Sequence, residues 1–248
     1  MENIVLAIMA ANAVSFFGGF SKGLTGFGAP LVMVPLFSLW LPLTMAVPIT
    51  ILLSLVATVP MLRVVRQRIM PRRDLFVAAC FALGASFGVH LLVTLPESAL
   101  RAALGTVLVI FVSYMFLRTP VTTVSPAWTR REGAVLGSAA AVQGVLSGAL
   151  GGGALPMVPY LAIRYERSDS RAIFVVVFTI GTVVQTAGYA YSGLIDAALL
   201  AIVGGAVPGM LFGLVLGAWM HPRVDARLFG RMIAVLLLFP ALNMIGIL

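Results

Sequence analysis

Long stretches without Asp, Glu, Lys or Arg limit what this chain can fold into more than any other feature. A helix needs about 20 apolar residues to cross the hydrocarbon core of a bilayer. The chain is 61% hydrophobic and 10% charged, whereas an average soluble domain is about a quarter charged. These proportions predict an integral membrane protein and exclude a soluble enzyme, a nucleic-acid binder and a disordered chain. The uncharged stretches are 4–21, 23–62, 75–96, 102–117, 133–163, 172–195, 197–222 and 232–248.

Two of these stretches are longer than one crossing requires. Residues 23–62 and 133–163 each contain a Gly-rich loop followed by a short apolar piece, Leu31–Leu41 and Leu155–Ile163. At 1.5 Å per residue, each piece is about 14–17 Å long, which is half a bilayer. The predicted fold class is therefore an all-α polytopic bundle of about eight long transmembrane helices plus two re-entrant half-helices.

The distribution of basic residues tests this count. If each half-helix folds back and both termini lie outside, fourteen of the sixteen basic residues fall in inward loops. Arg101 alone then lies outside, and Lys22 lies at membrane depth. Eight simple crossings would divide the arginines between the two faces, so the positive-inside rule favours the fold-back arrangement. The inward residues are Arg63, Arg66, Arg68, Arg72, Arg73, Arg118, Arg130, Arg131, Arg164, Arg167, Arg171, Arg223, Arg227 and Arg231.

The two halves of the chain repeat one another at an offset of 125 residues. Gly19, Gly23, Gly26 and Gly28 pair with Gly144, Gly148, Gly151 and Gly153, and Gly84 and Gly88 pair with Gly209 and Gly213. Each half contains an odd number of effective crossings, which predicts two inverted repeats, residues 1–118 and 132–248, joined by a cytoplasmic loop, 119–131. Interrupted helices at matching positions of such repeats indicate a transport site near the bilayer midplane.

The glycine loops are the predicted site. Glycine allows the backbone to turn with its N–H groups pointing one way, and a helix N-terminus carries about half a positive charge. Two half-helices entering from opposite sides would bring these positive ends together around a small anion. The loop residues are Gly26, Phe27 and Gly28, and Gly151, Gly152 and Gly153.

Close helix packing is the alternative use of glycine in membrane helices. Gly205, Gly209, Gly213 and Gly217 recur every fourth residue, so we assign them to packing. Such a face also permits a homodimer without requiring one.

Each glycine loop, followed by a half-helix and the letters MVP (33–35 and 157–159), resembles the twin signature of the sulfite exporter TauE/SafE family. The resemblance covers essentially the whole chain. It implies transport of sulfite, sulfoacetate and related sulfur-containing or organic anions across the bacterial cytoplasmic membrane, driven by an ion gradient. The first loop departs from a plain glycine run in carrying Lys22 and Phe27, so the resemblance does not fix the substrate.

Polar side chains near the loops are candidates for binding the anion. A charged side chain at the bilayer centre is costly and usually functional, so Lys22 either faces a cavity and attracts the anion or snorkels to the inner surface. His90 either carries a coupled proton or is a packed polar residue. The neutral candidates for the binding site are Ser21, Thr25, Ser54, Gln143, Ser147, Thr179 and Gln185, and Asn12 is a further pathway candidate.

Three function classes follow from these features. The first is a secondary transporter whose partners are a small anion and membrane lipids; the second is a passive anion channel using the same helix ends. An intramembrane enzyme would need a nucleophile with a base, or a metal site, and the chain offers only His90, His221 and one cysteine for this. No nucleotide-binding P-loop is present, and we expect no cofactor and no metal.

Overall fold

The computed structural model describes residues 2–26, 28–117, 126–152, 156–220, 237 and 240–244. Within these ranges the chain is helical and forms no β-strand. A short 3-10 turn, Arg66–Arg68, joins the third and fourth helices. The α-helices are α1 (Glu2–Thr25), α2 (Ala29–Phe37), α3 (Leu43–Val65), α4 (Pro71–Thr94), α5 (Glu97–Leu117), α6 (Arg130–Leu150), α7 (Met157–Arg164), α8 (Arg167–Tyr191) and α9 (Ala197–Met220).

Six of these helices, α3, α4, α5, α6, α8 and α9, are long and apolar enough to cross a membrane. Large apolar side chains also cover the outer surface, as lipid contact requires. The protein is therefore an integral, multi-pass membrane protein. The last long helix predicted from the sequence is 232–248. The structure describes only residues 237 and 240–244 of this segment, and they are helical. The large apolar side chains exposed on the outer surface include those of Met9, Leu83, Phe87, Phe212, Val215 and Trp219.

The two short helices match the predicted half-helices with small shifts in their bounds. α2 has nine residues and α7 has eight, against predictions of 31–41 and 155–163. Their first residues, Ala29 and Met157, are fully buried. α2 begins two residues earlier than predicted, because Pro30 fits the first turn of a helix, where its missing N–H is not needed.

Glycines bring two pairs of helices into backbone contact. On α9, a Cβ atom at Gly209, Gly213 or Gly217 would collide with a carbonyl oxygen of α1, and Gly19 and Gly23 of α1 face α9 in the same way. These contacts confirm that the glycines repeating every fourth residue serve packing. The face that we considered for a homodimer is thus occupied within the chain by α1.

The second pair, α4 and α6, is built in the same manner. Gly84 and Gly88 of α4 lie against carbonyl oxygens of α6, and Gly144 and Gly148 of α6 lie against carbonyl oxygens of α4. Such close backbones allow Cα–H···O contacts as well as dispersion. In both pairs, a helix from one half of the chain packs on a helix from the other half.

The arginine-rich connections meet at one end of the bundle, which we call the arginine end. Arg68, after α3, lies 3.8 Å from Glu166 and 3.7 Å from Asp169, which flank the start of α8. Glu132, in the first turn of α6, accepts hydrogen bonds from Tyr160 and Tyr165 at 2.7 and 2.9 Å. The connections before α4, α6 and α8 therefore share a face, as the fold-back arrangement predicts. Residues 119–125 of the predicted connecting loop, 119–131, lie outside the described residues.

A smaller polar network lies at the other end of the bundle. Arg101 donates to the carbonyl oxygens of Ser38 and Leu41, just after α2, at 2.9 and 3.3 Å. Glu97 binds Arg101 at 2.9 Å and accepts from the amide of Leu43 at the start of α3. α2 thus ends at this end of the bundle, whereas α7 ends at the arginine end.

Candidate functional site

The long helices α1 and α6 end in the same way at the two glycine loops. Gly26 and Gly151 have φ angles of 85° and 70°. In each case the glycine amide donates to the carbonyl oxygen four residues earlier, that of Lys22 or Ser147, at 2.8 Å. An α-helix commonly ends with a left-handed residue of this kind, and glycine adopts it without strain. The prediction that these glycine clusters interrupt a helix is confirmed.

The second loop lies against the first turn of α2. A Cβ atom on Gly152 would be 3.0 Å from the amide nitrogen of Leu31 and 3.0 Å from the carbonyl carbon of Pro30. The first turn of a helix has N–H groups without helical partners and carries the positive end of the helix dipole. The backbone at Gly152 therefore lies next to the N-terminal end of α2, whose free N–H groups suit an anion. Phe27 and Gly153 lie outside the described residues.

Two hydroxyl groups of α1 face the same turn. Gly28 precedes α2 with a φ angle of 96°, and a Cβ atom there would lie 3.0 Å from Oγ of Ser21 and 3.5 Å from Oγ1 of Thr25. Thr25 also donates to the carbonyl oxygen of Ser21 at 2.8 Å. The structure thus brings Ser21, Thr25 and Gly28 together.

Lys22 is buried and bound to α3. Its side chain is only 4% exposed, and Nζ donates to the carbonyl oxygen of Ser54 at 2.8 Å and to Oγ1 of Thr58. The side chain therefore does not snorkel to the surface. The hydroxyl of Ser54 is itself buried without a hydrogen-bond partner within the described ranges. The sequence identified Lys22 and Ser54 separately, and the structure joins them.

A second polar cluster lies between α6 and α8. Nε2 of Gln185 donates to the hydroxyl of Ser147 at 2.9 Å, and the hydroxyl of Tyr189 donates to the carbonyl oxygen of Gly148 at 2.8 Å. All these side chains are buried. The Oε1 atoms of Gln143 and Gln185 have no partner among the residues that the structure describes. Tyr189 was missed by the sequence analysis, because one buried tyrosine carries no spacing signal.

Three sequence candidates are not part of these clusters. Thr179 donates to the carbonyl oxygen of Val175 in its own helix. Asn12 bridges α1 and α9, since its Oδ1 accepts from the amide of Gly209 at 2.9 Å and its Nδ2 donates to the carbonyl oxygen of Gly205. His90 is exposed on α4, so it is not a packed polar residue, and its role in proton coupling stays a prediction.

The position of Arg171 differs from the one predicted from the sequence. We expected it in an inward loop, but it lies in the second turn of α8 and is partly buried. Its Cγ atom is 2.8 Å from the position that a Cβ of Gly26 would take. Counting uncharged stretches treats every arginine as the edge of a span, so it could not place an arginine within a helix and against a loop.

The sequence matches one family model over nearly its whole length. The model for the sulfite exporter TauE/SafE family covers residues 11–244. The chain belongs to this family. No curated protein and no solved structure matches it. Membership agrees with the resemblance carried by the two glycine loops. This TauE/SafE chain is therefore a transmembrane transport protein. The function that the family implies is that of a membrane exporter of sulfite or a related anion.

The charges around the first loop of this TauE/SafE chain are positive. Lys22 donates to the neutral oxygens of Ser54 and Thr58, and Nε of Arg171 has no hydrogen-bond partner in the described part of the chain. The acidic side chains of Asp74, Glu97, Glu132 and Asp169 lie in the first turns of their helices, at the two ends of the bundle. The Arg171 side chain therefore lies beside Gly26, and Lys22, whose carbonyl oxygen accepts from the Gly26 amide, extends its ammonium group to α3.

Proposed function

We propose that the chain is a secondary transporter that exports a small anion, such as sulfite or an organosulfonate, bound between the two glycine loops. The approach of Gly152 to the first turn of α2 carries this proposal, because it places the second loop at the positive end of the first half-helix. Ser21 supplies a hydroxyl group beside Gly28, and such a neutral donor suits an oxyanion. The hydroxyl of Thr25 lies beside it but donates its one hydrogen to the carbonyl oxygen of Ser21, so it would have to rotate to join the site.

The electrostatics of the bundle support an anionic passenger. Burial of an ammonium group is costly unless an opposite charge or several hydrogen bonds compensate it. Lys22 has two acceptors on α3, and its third N–H remains to interact with an anion. An anion that enters beside Gly26 gains the attraction of this ammonium in a medium of low dielectric constant.

We further propose that the two halves are inverted repeats that move relative to each other. Gly26 and Gly151, which pair at an offset of 125, have the same conformation and the same amide bond. α1 packs on α9 as α6 packs on α4, and the half-helices end at opposite ends of the bundle. This arrangement favours alternating access around the loops. By the positive-inside rule, the arginine end faces the cytoplasm and both termini lie outside.

A flux experiment in proteoliposomes tests the function. Purified protein is reconstituted, vesicles are loaded with sulfite at the external concentration or above it, and net sulfite movement is measured without and with an imposed proton or sodium gradient. Accumulation against the sulfite gradient when an ion gradient is imposed is the expected result. Efflux that only dissipates the sulfite gradient under every condition would favour the alternative, a passive anion channel. Parallel vesicles loaded with sulfoacetate, thiosulfate or a carboxylate define the substrate.

A further inference from the structure

Arg171 packs its side chain across the first glycine loop. Its Cγ and Nε atoms lie 2.8 and 3.5 Å from the position of a Cβ on Gly26, so the stem fills the space that any larger residue there would occupy. Gly26 is fixed in a left-handed conformation at the end of α1. The guanidinium group is therefore held beside the loop by an element of the other half of the chain.

The guanidinium group of Arg171 has no carboxylate partner among the residues that the structure describes. Four other arginines form ion pairs there, namely Arg68, Arg73, Arg101 and Arg164. Nε of Arg171, in contrast, is buried and makes no hydrogen bond within the same residues. An unsatisfied buried donor costs free energy, and more so when it is charged. The side chain as a whole is only partly buried.

We propose that Arg171 is a direct ligand of the transported anion, at the side of the site nearest the arginine end. A guanidinium group presents parallel N–H donors that match two oxygen atoms of one anion. Sulfite and sulfonates offer such a pair of oxygens, whereas a halide does not. Arg171 therefore selects oxyanions, and Lys22 supplies a point charge beyond the loop. This inference rests on the proposed function.

The test compares three variants in the sulfite flux assay. Arg171→Gln removes the charge, Arg171→Lys keeps the charge but loses the paired donors, and Arg66→Gln removes a charge from an exposed side chain at the same end of the bundle. KM and Vmax are measured for each variant, together with the rise in Tm that sulfite produces in detergent. We expect Arg171→Gln to raise KM by about tenfold to a hundredfold, Arg171→Lys to raise it severalfold, and Arg66→Gln to leave it unchanged.

Each outcome decides between the inference and the function on which it rests. Wild-type protein that transports neither sulfite nor any of the other anions in the parallel vesicles would contradict the proposed function. Wild-type flux with an unchanged KM in Arg171→Gln, whether or not Vmax falls, would overturn the assignment of Arg171 alone. If Arg171→Gln is not recovered as folded protein, Arg171→Lys decides: a wild-type KM overturns the assignment, and a raised KM supports it.

Discussion

The ammonium nitrogen of Lys22 lies 2.8 Å from the carbonyl oxygen of Ser54, and this bond ties the end of α1 to the middle of α3. We expect Lys22→Met, which keeps an unbranched side chain but lacks the terminal ammonium group, to fold but to lose at least about tenfold in transport, because a close charge pair in a partly buried site is worth several kcal/mol. The hydroxyl of Thr58 still donates to the carbonyl of Ser54 at 2.6 Å, so α3 keeps its own bond.

The measurement for Lys22 is sulfite flux together with Tm. Lys22→Arg, which keeps a positive charge, serves as the companion variant and should retain more flux than Lys22→Met. If both variants transport at the wild-type rate, the ammonium serves only to join two helices and its role in attracting the anion is wrong.

Substitution of Gly152 tests the close approach of the loops. In Gly152→Ala, the new Cβ would lie 3.0 Å from backbone atoms of Pro30 and Leu31, which cannot move as a flexible side chain can. We expect flux to fall by at least about tenfold, because a displacement of about 1 Å at a binding site can cost a hundredfold. Gly204→Ala is the matched control, since nothing lies within 4 Å of its Cβ position, and it should transport normally. Equal flux in the two variants would show that the loops need not meet.

The sequence predicted where the helices lie along the chain better than it predicted which helices pack against each other. Uncharged stretches and two glycine loops were enough to locate α1, α2 and α7, because hydrophobicity and glycine act locally along the chain. The pairing of α1 with α9 depends on which backbones can approach, and the spacing of Gly209 and Gly213 indicated only that some helix would lie close. The bond between Lys22 and α3 and the position of Arg171 depend on the path of distant segments, which spacing along the chain does not encode.

The two glycine interfaces are expected to be equally sensitive to a methyl group. Gly88 and Gly213 lie 125 residues apart in the sequence, and a Cβ on either would collide with a carbonyl oxygen of the facing helix, that of Val145 or Phe16. Overpacking of a tight interface costs about 1–3 kcal/mol. Gly88→Ala and Gly213→Ala should therefore lower Tm by similar amounts in detergent, while Gly204→Ala leaves Tm unchanged or raises it. A large fall for only one of them would argue against equivalent interfaces.

Asn12 is expected to stabilise the bundle through α9. Its carboxamide binds the carbonyl of Gly205 and the amide of Gly209, which flank Pro208, and a proline within a helix disturbs the backbone bonds around it. Asn12→Ala should lower the free energy of unfolding by about 1–3 kcal/mol, measured as a fall in Tm. Ser86→Ala, which loses only an exposed bond to its own helix, is the control. Equal Tm values for the two variants would show that α9 needs no partner at this point.

Tyr165 should make the arginine end sensitive to alkaline pH. Burial, followed by its hydrogen bond to Glu132, raises the pKa of Tyr165 well above its ordinary value, and nearby Arg73 opposes the shift only in part. A pKa that is higher in the folded than in the unfolded protein gives stability that is complete below about pH 10, the ordinary tyrosine pKa, and is lost as pH rises further. The fall in Tm between pH 9 and pH 11, both chosen to bracket about pH 10, should therefore be steeper in wild type than in Tyr165→Phe. Tyr191→Phe, which changes a side chain that is 96% exposed, should keep the wild-type slope, and parallel slopes in all three proteins would contradict the assigned shift.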